Sequence, residues 1–263
     1  MNARPYVLRE ASWAVIKSES YSVAVLPWGA TEAHNYHLPF GTDTYEAEAI
    51  AIESARIAWE RGTRVIVLPA IPFGVNTGQL DIPFTINLNP TTQLQVLHDI
   101  VSSLEGHEID KLVIVNGHGG NDFKGLVREL QGKSGMLIVT VNWWQIESGK
   151  AHFPDPGDHA GALETAVMLT LAPDLVALEK AGAGAARPFV ISALREGWAW
   201  TPREWTKATE DTGVGDPRGA TADAGKQYLE SITAKLAGLF SELAACPRDG
   251  LYRETNPRQE QSD

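Results

Sequence analysis

The chain has 263 residues, with 22 Lys and Arg against 33 Asp and Glu, for a formal net charge of −11. That excess of acid lacks the basic face that phosphate binding needs and disfavours an anionic membrane surface, so neither nucleic acid nor membrane is an expected partner. Hydrophobic content of 43% and charged content of 21% are those of an ordinary globular chain long enough to bury a large core, which excludes disorder over most of its length.

The first two-thirds alternates short β-rich runs with longer helical stretches. Tyr21–Leu26 reads as a strand, followed by a polar, histidine-bearing loop to Thr42. Asp43–Arg61 follows as a helix, with Ala47, Ile50, Ala51, Ile57 and Ala58 spaced for one apolar face and Gly62 fit to end it. Arg64–Leu68 is the second strand, and a loop rich in Pro, Gly and Asn runs to Asn89. Asn89-Pro90 starts a helix that ends near Gly106, because Asn can cap and Pro fits the first helical position. Lys111–Val115 is the third strand, 116–122 a glycine-rich turn, and a helix follows through about Gln131. Met136–Val141 is the fourth strand, and a helix from about His159 to Leu171 closes the regular part. Strict alternation of this kind means βαβ units and a mainly parallel central sheet covered on both faces, an α/β/α sandwich. A final helix is expected near Thr221–Leu239. We read residues 1–253 as one domain and 254–263 as a mobile tail.

In open α/β sheets the ligand crevice lies beyond the carboxyl ends of the strands. The unusual residues fall there. Glu32, His34, His37 and Asp43 follow strand one, Asn116-Gly117-His118-Gly119-Gly120-Asn121 follows strand three, and Trp143, Trp144, Asp158, His159 and Glu164 follow strand four. Three separate loops agree.

Glu32 and His34 alternate in an extended loop, so both side chains point one way. A carboxylate and an imidazole aimed at a common point suit a divalent metal such as Zn²⁺ or Mn²⁺. Asp43, nine residues after His34, has oxygens that could bridge two ions; alone it could equally cap its helix with Glu46 as partner. The 116–121 turn matches neither common phosphate-loop spacing and carries His118 at its centre, so a metal ligand is favoured over a phosphate cradle. Glu164 is an acid on an otherwise apolar helix, and such an acid needs a metal or histidine partner unless it faces solvent. It shares a crevice with His159 only if His159 precedes the first helical turn. His152 reads as pocket wall or surface, and His98 and His107, at helix positions away from these loops, as structural residues rather than ligands.

Trp198, Trp200 and Trp205, interleaved with Arg195, Glu196, Arg203 and Glu204, read as a lid over the pocket or a subunit contact rather than as core. Cys246 is the only cysteine, so no internal disulfide or cysteine-rich zinc knuckle forms. No apolar run approaches the about 18 residues of a membrane span, and Met1–Tyr6 lacks the layout of a secretory signal, so the expected location is cytoplasmic.

Three motifs together resemble the creatininase (creatinine amidohydrolase) family of metal-dependent hydrolases. They are Gly29-Ala30-Thr31-Glu32-Ala33-His34 running to Gly41-Thr42-Asp43, then Asn116–Asn121, then His159-Ala160-Gly161-Ala162-Leu163-Glu164-Thr165. The similarity spans roughly residues 20–235. It implies a binuclear site of Zn, Mn or Fe in a three-layer α/β/α fold, commonly assembled as a homo-hexamer. Glu32, Asp43 and His118 would hold one ion, and His34 with bridging Asp43 the other. In creatininase proper an acid two residues after the turn histidine completes the second site, and here that position is Gly120, so Glu164 or water fills the place. His159 matches the family's catalytic histidine, with Glu164 beside it. Trp144 matches a tryptophan flanking the substrate, and His37, Asn116 and Gly119 join it on the substrate side. The second such tryptophan is replaced by Asp155, and the usual Gln-His-Gly-Pro-His reads Ala33-His34-Asn35-Tyr36-His37, which argues against creatinine itself.

The expected chemistry is attack of a metal-bound hydroxide on the carbonyl of a small molecule, with hydrolysis of the C–N bond of a small cyclic amide or a formamide. Relatives that open a cyclic diketone or trim a peptide supply one alternative. A non-catalytic nucleotide- or phosphate-binding protein built on the Gly117–Gly120 turn supplies another, and a metal-binding protein without turnover a third. Metal content separates them.

Overall fold

The computed structural model describes residues 4–248 and 250–252, and the expected tail at 254–263 lies outside them. A short helix α1 (Trp13–Ser18) leads into strand β1 (Val23–Trp28), helix α2 (Thr42–Glu60) and strand β2 (Val65–Val67). Then come α3 (Pro90–Glu105), β3 (Lys111–Asn116), α4 (Phe123–Gln131), β4 (Leu137–Asn142) and α5 (Ala162–Leu171). Two short helices, α6 (Ser192–Glu196) and α7 (Trp205–Ala208), precede the long α8 (Ala222–Ala245).

The four strands are all parallel, in the order β2-β1-β3-β4. Every residue of β1, β2 and β3 is buried, as expected for parallel strands covered on both faces. Alternate side chains feed two cores. Val23, Val25, Val65, Val67, Val113 and Val115 pack against α2, α5 and α8, whereas Ala24, Leu26, Ile66, Leu112 and Ile114 pack against α3 and α4. The result is the three-layer α/β/α sandwich expected from the alternation.

Local chemistry sets the helix ends. Pro90 occupies the first turn of α3, though the Asn89 side chain makes no cap bond and instead accepts from Asn87 Nδ2 at 2.7 Å. The Asp122 carboxylate caps α4 by accepting from Lys124 N, and the Thr221 hydroxyl caps α8 by accepting from Ala224 N. Gly62 ends α2 at φ +89°, a conformation that glycine adopts cheaply.

Register decides where function sits. Trp28 pairs with Asn116, and Asn116 with Asn142, so β1, β3 and β4 end level with one another. The segments that follow them therefore open on one edge of the sheet, the crevice position. The long 69–89 loop is drawn across that edge by Trp28 Nε1 donating to the Phe73 carbonyl at 2.9 Å and Thr31 Oγ1 donating to the Pro72 carbonyl at 2.7 Å. No helix among the described residues is long and apolar enough to cross a membrane.

Candidate active site

Asp43 lies in the first turn of α2, one residue into the helix. Gly41 is the N-cap and no side chain caps the helix. The capping role weighed for Asp43 is not what the structure shows. The residue is buried and its carboxylate is turned to two imidazoles, with His34 Nε2 at 2.9 Å from Oδ1 and His118 Nδ1 at 3.0 Å from Oδ2. Glu32 Oε1 also meets His118 Nδ1 at 3.0 Å and stands 3.8 Å from His159 Nδ1. Ligand atoms of Glu32, Asp43 and His118 lie within 4.8 Å of one another, as do those of His34, Asp43 and Glu164, and those of Glu32, His34 and His159.

The other nitrogen of each histidine is tied to the main chain. His34 Nδ1 is 3.1 Å from the Glu32 carbonyl oxygen, His118 Nε2 is 3.0 Å from that of Val75, and His159 Nε2 is 2.9 Å from that of Ala33. A carbonyl can only accept, so each ring carries a proton on that nitrogen and turns its other nitrogen to the carboxylates. Against burial, Asp43 raises His34 to about 10, and Glu32 and Asp43 raise His118 well above its usual value. The inward nitrogens of these two rings therefore also carry protons and donate to the carboxylates, protons that a divalent ion would replace.

Three buried or half-buried carboxylates converge here, and their ion pairs among the described residues are with histidine alone. Burial would push Asp43 up, but the neighbouring His34 and His118 hold it well below the usual carboxylate range. Burial dominates at Glu164 and, with Asp43 nearby, pushes it up to about 7 against the pull of His34. His159 is pulled down by burial and by the His34 charge. A buried acid cluster with no lysine or arginine partner is a donor set that fits divalent metal.

His159 stands before the helix that the sequence starts at that residue. It is held extended by pairing with Val214, and α5 begins at Ala162. Ala160, at φ +48°, breaks the path between them, and its N–H donates to the Glu164 carboxylate. His159 and Glu164 therefore reach one crevice despite a five-residue spacing. The His159 ring packs against His34 at 4.2 Å and against Trp205 at 4.6 Å between centroids.

Two residues assigned to the substrate side sit behind the site. His37 is buried with Nε2 2.8 Å from Thr165 Oγ1 and does not line the cavity. Asn116 is fully buried as a brace for the turn, accepting from His118 N at 3.1 Å and Asn121 Nδ2 at 3.0 Å and donating to the His118 carbonyl at 2.9 Å. The reason is common to both: each side chain spends its hydrogen bonds on packed neighbours, His37 on Thr165 of α5 and Asn116 on the 118–121 turn. Gly119 and Trp144 do line the cavity. His152 bonds Glu147 at 3.0 Å, and His98 and His107 are exposed.

Sequence reading missed several participants. Gln79 Nε2 donates to Glu32 Oε2 at 2.5 Å, from a loop without periodicity. Val75 and Ala33 act through carbonyl oxygens, which every residue has, so no sequence signal marks them. Glu46, one turn after Asp43, is fully buried with neither carboxyl oxygen hydrogen-bonded, and burial beside Glu164 and Asp43 raises it well above the usual range.

The cavity holds about 860 Å³ and reaches from Glu32, Asp43 and Glu164 to a rim at 189–205. Trp200 and Trp205 line it, and Trp198 and Trp200 are 75% and 84% exposed, which places neither of those two rings in the core.

A sequence profile of the creatininase family, described as creatinine amidohydrolase, matches residues 9–240. The chain belongs to the creatininase family. As a member of it, the protein is a metal-dependent amidohydrolase. A mycofactocin precursor peptide peptidase of Mycobacterium tuberculosis (strain CDC 1551 / Oshkosh) is 32% identical over 241 residues, covering 86% of each chain. A solved structure from Bacteroides fragilis NCTC 9343, proposed to be a creatinine amidohydrolase, is 45% identical with a TM-score of 0.91, over 96% of this chain and 100% of that one. A manganese creatininase shares the fold at 22% identity, with a TM-score of 0.76 over 92% of this chain and 100% of that one.

Proposed function

We propose that this creatininase-family chain hydrolyses an amide C–N bond, with Glu32, Asp43 and His118 holding one divalent ion and His34, Asp43 and Glu164 holding a second. One observation carries the reading: three histidines, each with its remote nitrogen on a main-chain carbonyl, turn their other nitrogen into a cluster of three carboxylates. Gly120 supports Glu164 as the third acid, because a Cβ at 120 would overlap the Val75 oxygen and His118 Nε2. No acid fits there.

Bound zinc or manganese supplies Lewis acidity, which lowers the pKa of a water and polarises the substrate carbonyl. The chain's own groups do the rest. The O–C bond forms as the C–N bond breaks, and a proton passes from the attacking water to the departing nitrogen. His159 Nδ1, bare and facing the cavity, is the group placed to carry that proton, and Nε2 bonded to Ala33 keeps the ring from turning. Trp205 excludes water from one face of that imidazole.

The first substrate reading is a small cyclic amide or a formamide. A second, the C–N bond near a peptide end, is favoured by a volume of 860 Å³, near the upper end for drug-sized ligands, and by the peptidase names of relatives matched over 86% of the chain. We also propose a cytoplasmic homo-oligomer. Val190, Ile191, Trp198 and Trp200, large apolar side chains left exposed along one short segment, support self-association. The test is turnover of the zinc- or manganese-loaded protein on cyclic amides, formamides and short peptides. Release of an amine with loss on chelation supports the reading, and two bound ions with no turnover on any amide opposes it.

A further inference from the structure

The cavity wall is acidic, with Glu32, Asp43, Asp158 and Glu164 all facing in, on a chain of net charge −11. Among the described residues that line it, Arg203 is the only arginine or lysine. It is not loosely placed. Its guanidinium carbon lies 4.7 Å over the Trp205 ring, and that ring lies 4.6 Å from His159, so two successive ring contacts link the cation to the reacting end of the cavity. Its backbone is seated against Gly78, where any Cβ would overlap the Arg203 carbonyl oxygen. The neighbouring Thr206 hydroxyl donates to Asp81, which pins the same segment.

We infer that Arg203 is a specificity-determining residue that receives a carboxylate on the substrate, so that the amide hydrolysed belongs to an anionic molecule. This rests on the amide-hydrolase reading and adds the charge of the substrate to it. A planar guanidinium stacked on an indole offers a fixed fork of donors that matches a carboxylate bidentately. Its present partner is Asp158, 3.0 Å from Nη2, whose side chain is 64% exposed. An exposed ion pair of that kind contributes little, so a substrate carboxylate can take the place of Asp158 without a large opposing cost. The alternative is that the Arg203–Asp158 pair merely fastens the 189–205 rim to the loop before His159.

The probes are the monohydroxamic acids of malonic, succinic, glutaric and adipic acid, each beside its neutral methyl ester, titrated into zinc-loaded full-length protein by calorimetry. The hydroxamate end seeks the ions and the series scans the reach to Arg203. For at least one chain length the acid should bind tighter than its ester. Arg203→Met should lower affinity for that acid roughly tenfold or more and leave the ester within about twofold. Asp158→Asn should raise affinity for the acid several-fold, because a competitor is gone. Acids and esters that bind alike, or an Arg203→Met variant that loses both equally, would show that Arg203 only fastens the rim. An Asp158→Asn variant that weakens acid and ester together would show the same. If protein that holds zinc binds no hydroxamate of any length, the amide-hydrolase reading falls and takes this inference with it.

Discussion

His118 Nε2 donates to the Val75 carbonyl oxygen at 3.0 Å, and that bond directs Nδ1 between Glu32 and Asp43. In the proposed site the Val75 carbonyl would therefore orient a metal ligand without touching the ion. Gly120 guards the bond, since a Cβ there overlaps both partners. Gly120→Ala should lower metal affinity about 10- to 100-fold, the usual cost of a lost outer partner, measured by chelator competition. Gly119→Ala is the control, because nothing lies within 4 Å of a Cβ at 119. Equal affinity in both variants would remove Val75 from the account.

Glu164→Gln should cost one ion per chain, read by elemental analysis, and reduce turnover by orders of magnitude. Glutamine keeps the size and can still accept from Ala160 N but loses the charge. Full metal content and full activity would make Glu164 a helix brace only.

Much of this site is legible in sequence, for a definite reason. Glu32, His34, Asp43 and His118 follow strand ends, and parallel strands in register bring those ends level, as Trp28, Asn116 and Asn142 show. Strand bounds shift by a residue or two because the apolar run of β1 continues through Pro27 and Trp28. His37 and Asn116 resemble site residues by neighbourhood, yet packing turns them inward. Gln79, Val75 and Arg203 arrive from loops whose path is set by long-range bonds such as Trp28 to Phe73. No local pattern encodes that path.

Glu46 gives a pH dependence with a definite sign. Its folded-state pKa is raised by burial beside Glu164 and Asp43, whereas the unfolded chain ionises normally, so between the two pKa values the folded state holds the extra proton. Stability of the metal-free protein therefore falls as pH rises above the ordinary carboxyl range. Glu46→Gln mimics the protonated form and should raise the Tm of metal-free protein by a few degrees at pH 7, with the gain fading as pH nears the ordinary carboxyl pKa of about 4.3. A Tm difference independent of pH would mean that Glu46 is ionised in the fold.

Trp198→Ala with Trp200→Ala should leave stability within about 0.5 kcal/mol, since both rings are largely exposed. The same variant should raise KM or alter assembly in sedimentation. A large loss of stability with unchanged kinetics and assembly would return both rings to a core.

The most direct test of the two-ion site is an anomalous difference map from zinc-loaded crystals, recorded on either side of the zinc edge. The account predicts two peaks, one bonded by Glu32, Asp43 and His118 and one by His34, Asp43 and Glu164, at about 2.0–2.2 Å from nitrogen or oxygen. Peaks elsewhere, or zinc-saturated protein in which His118 Nδ1 still faces Asp43 with no ion between them, would contradict it.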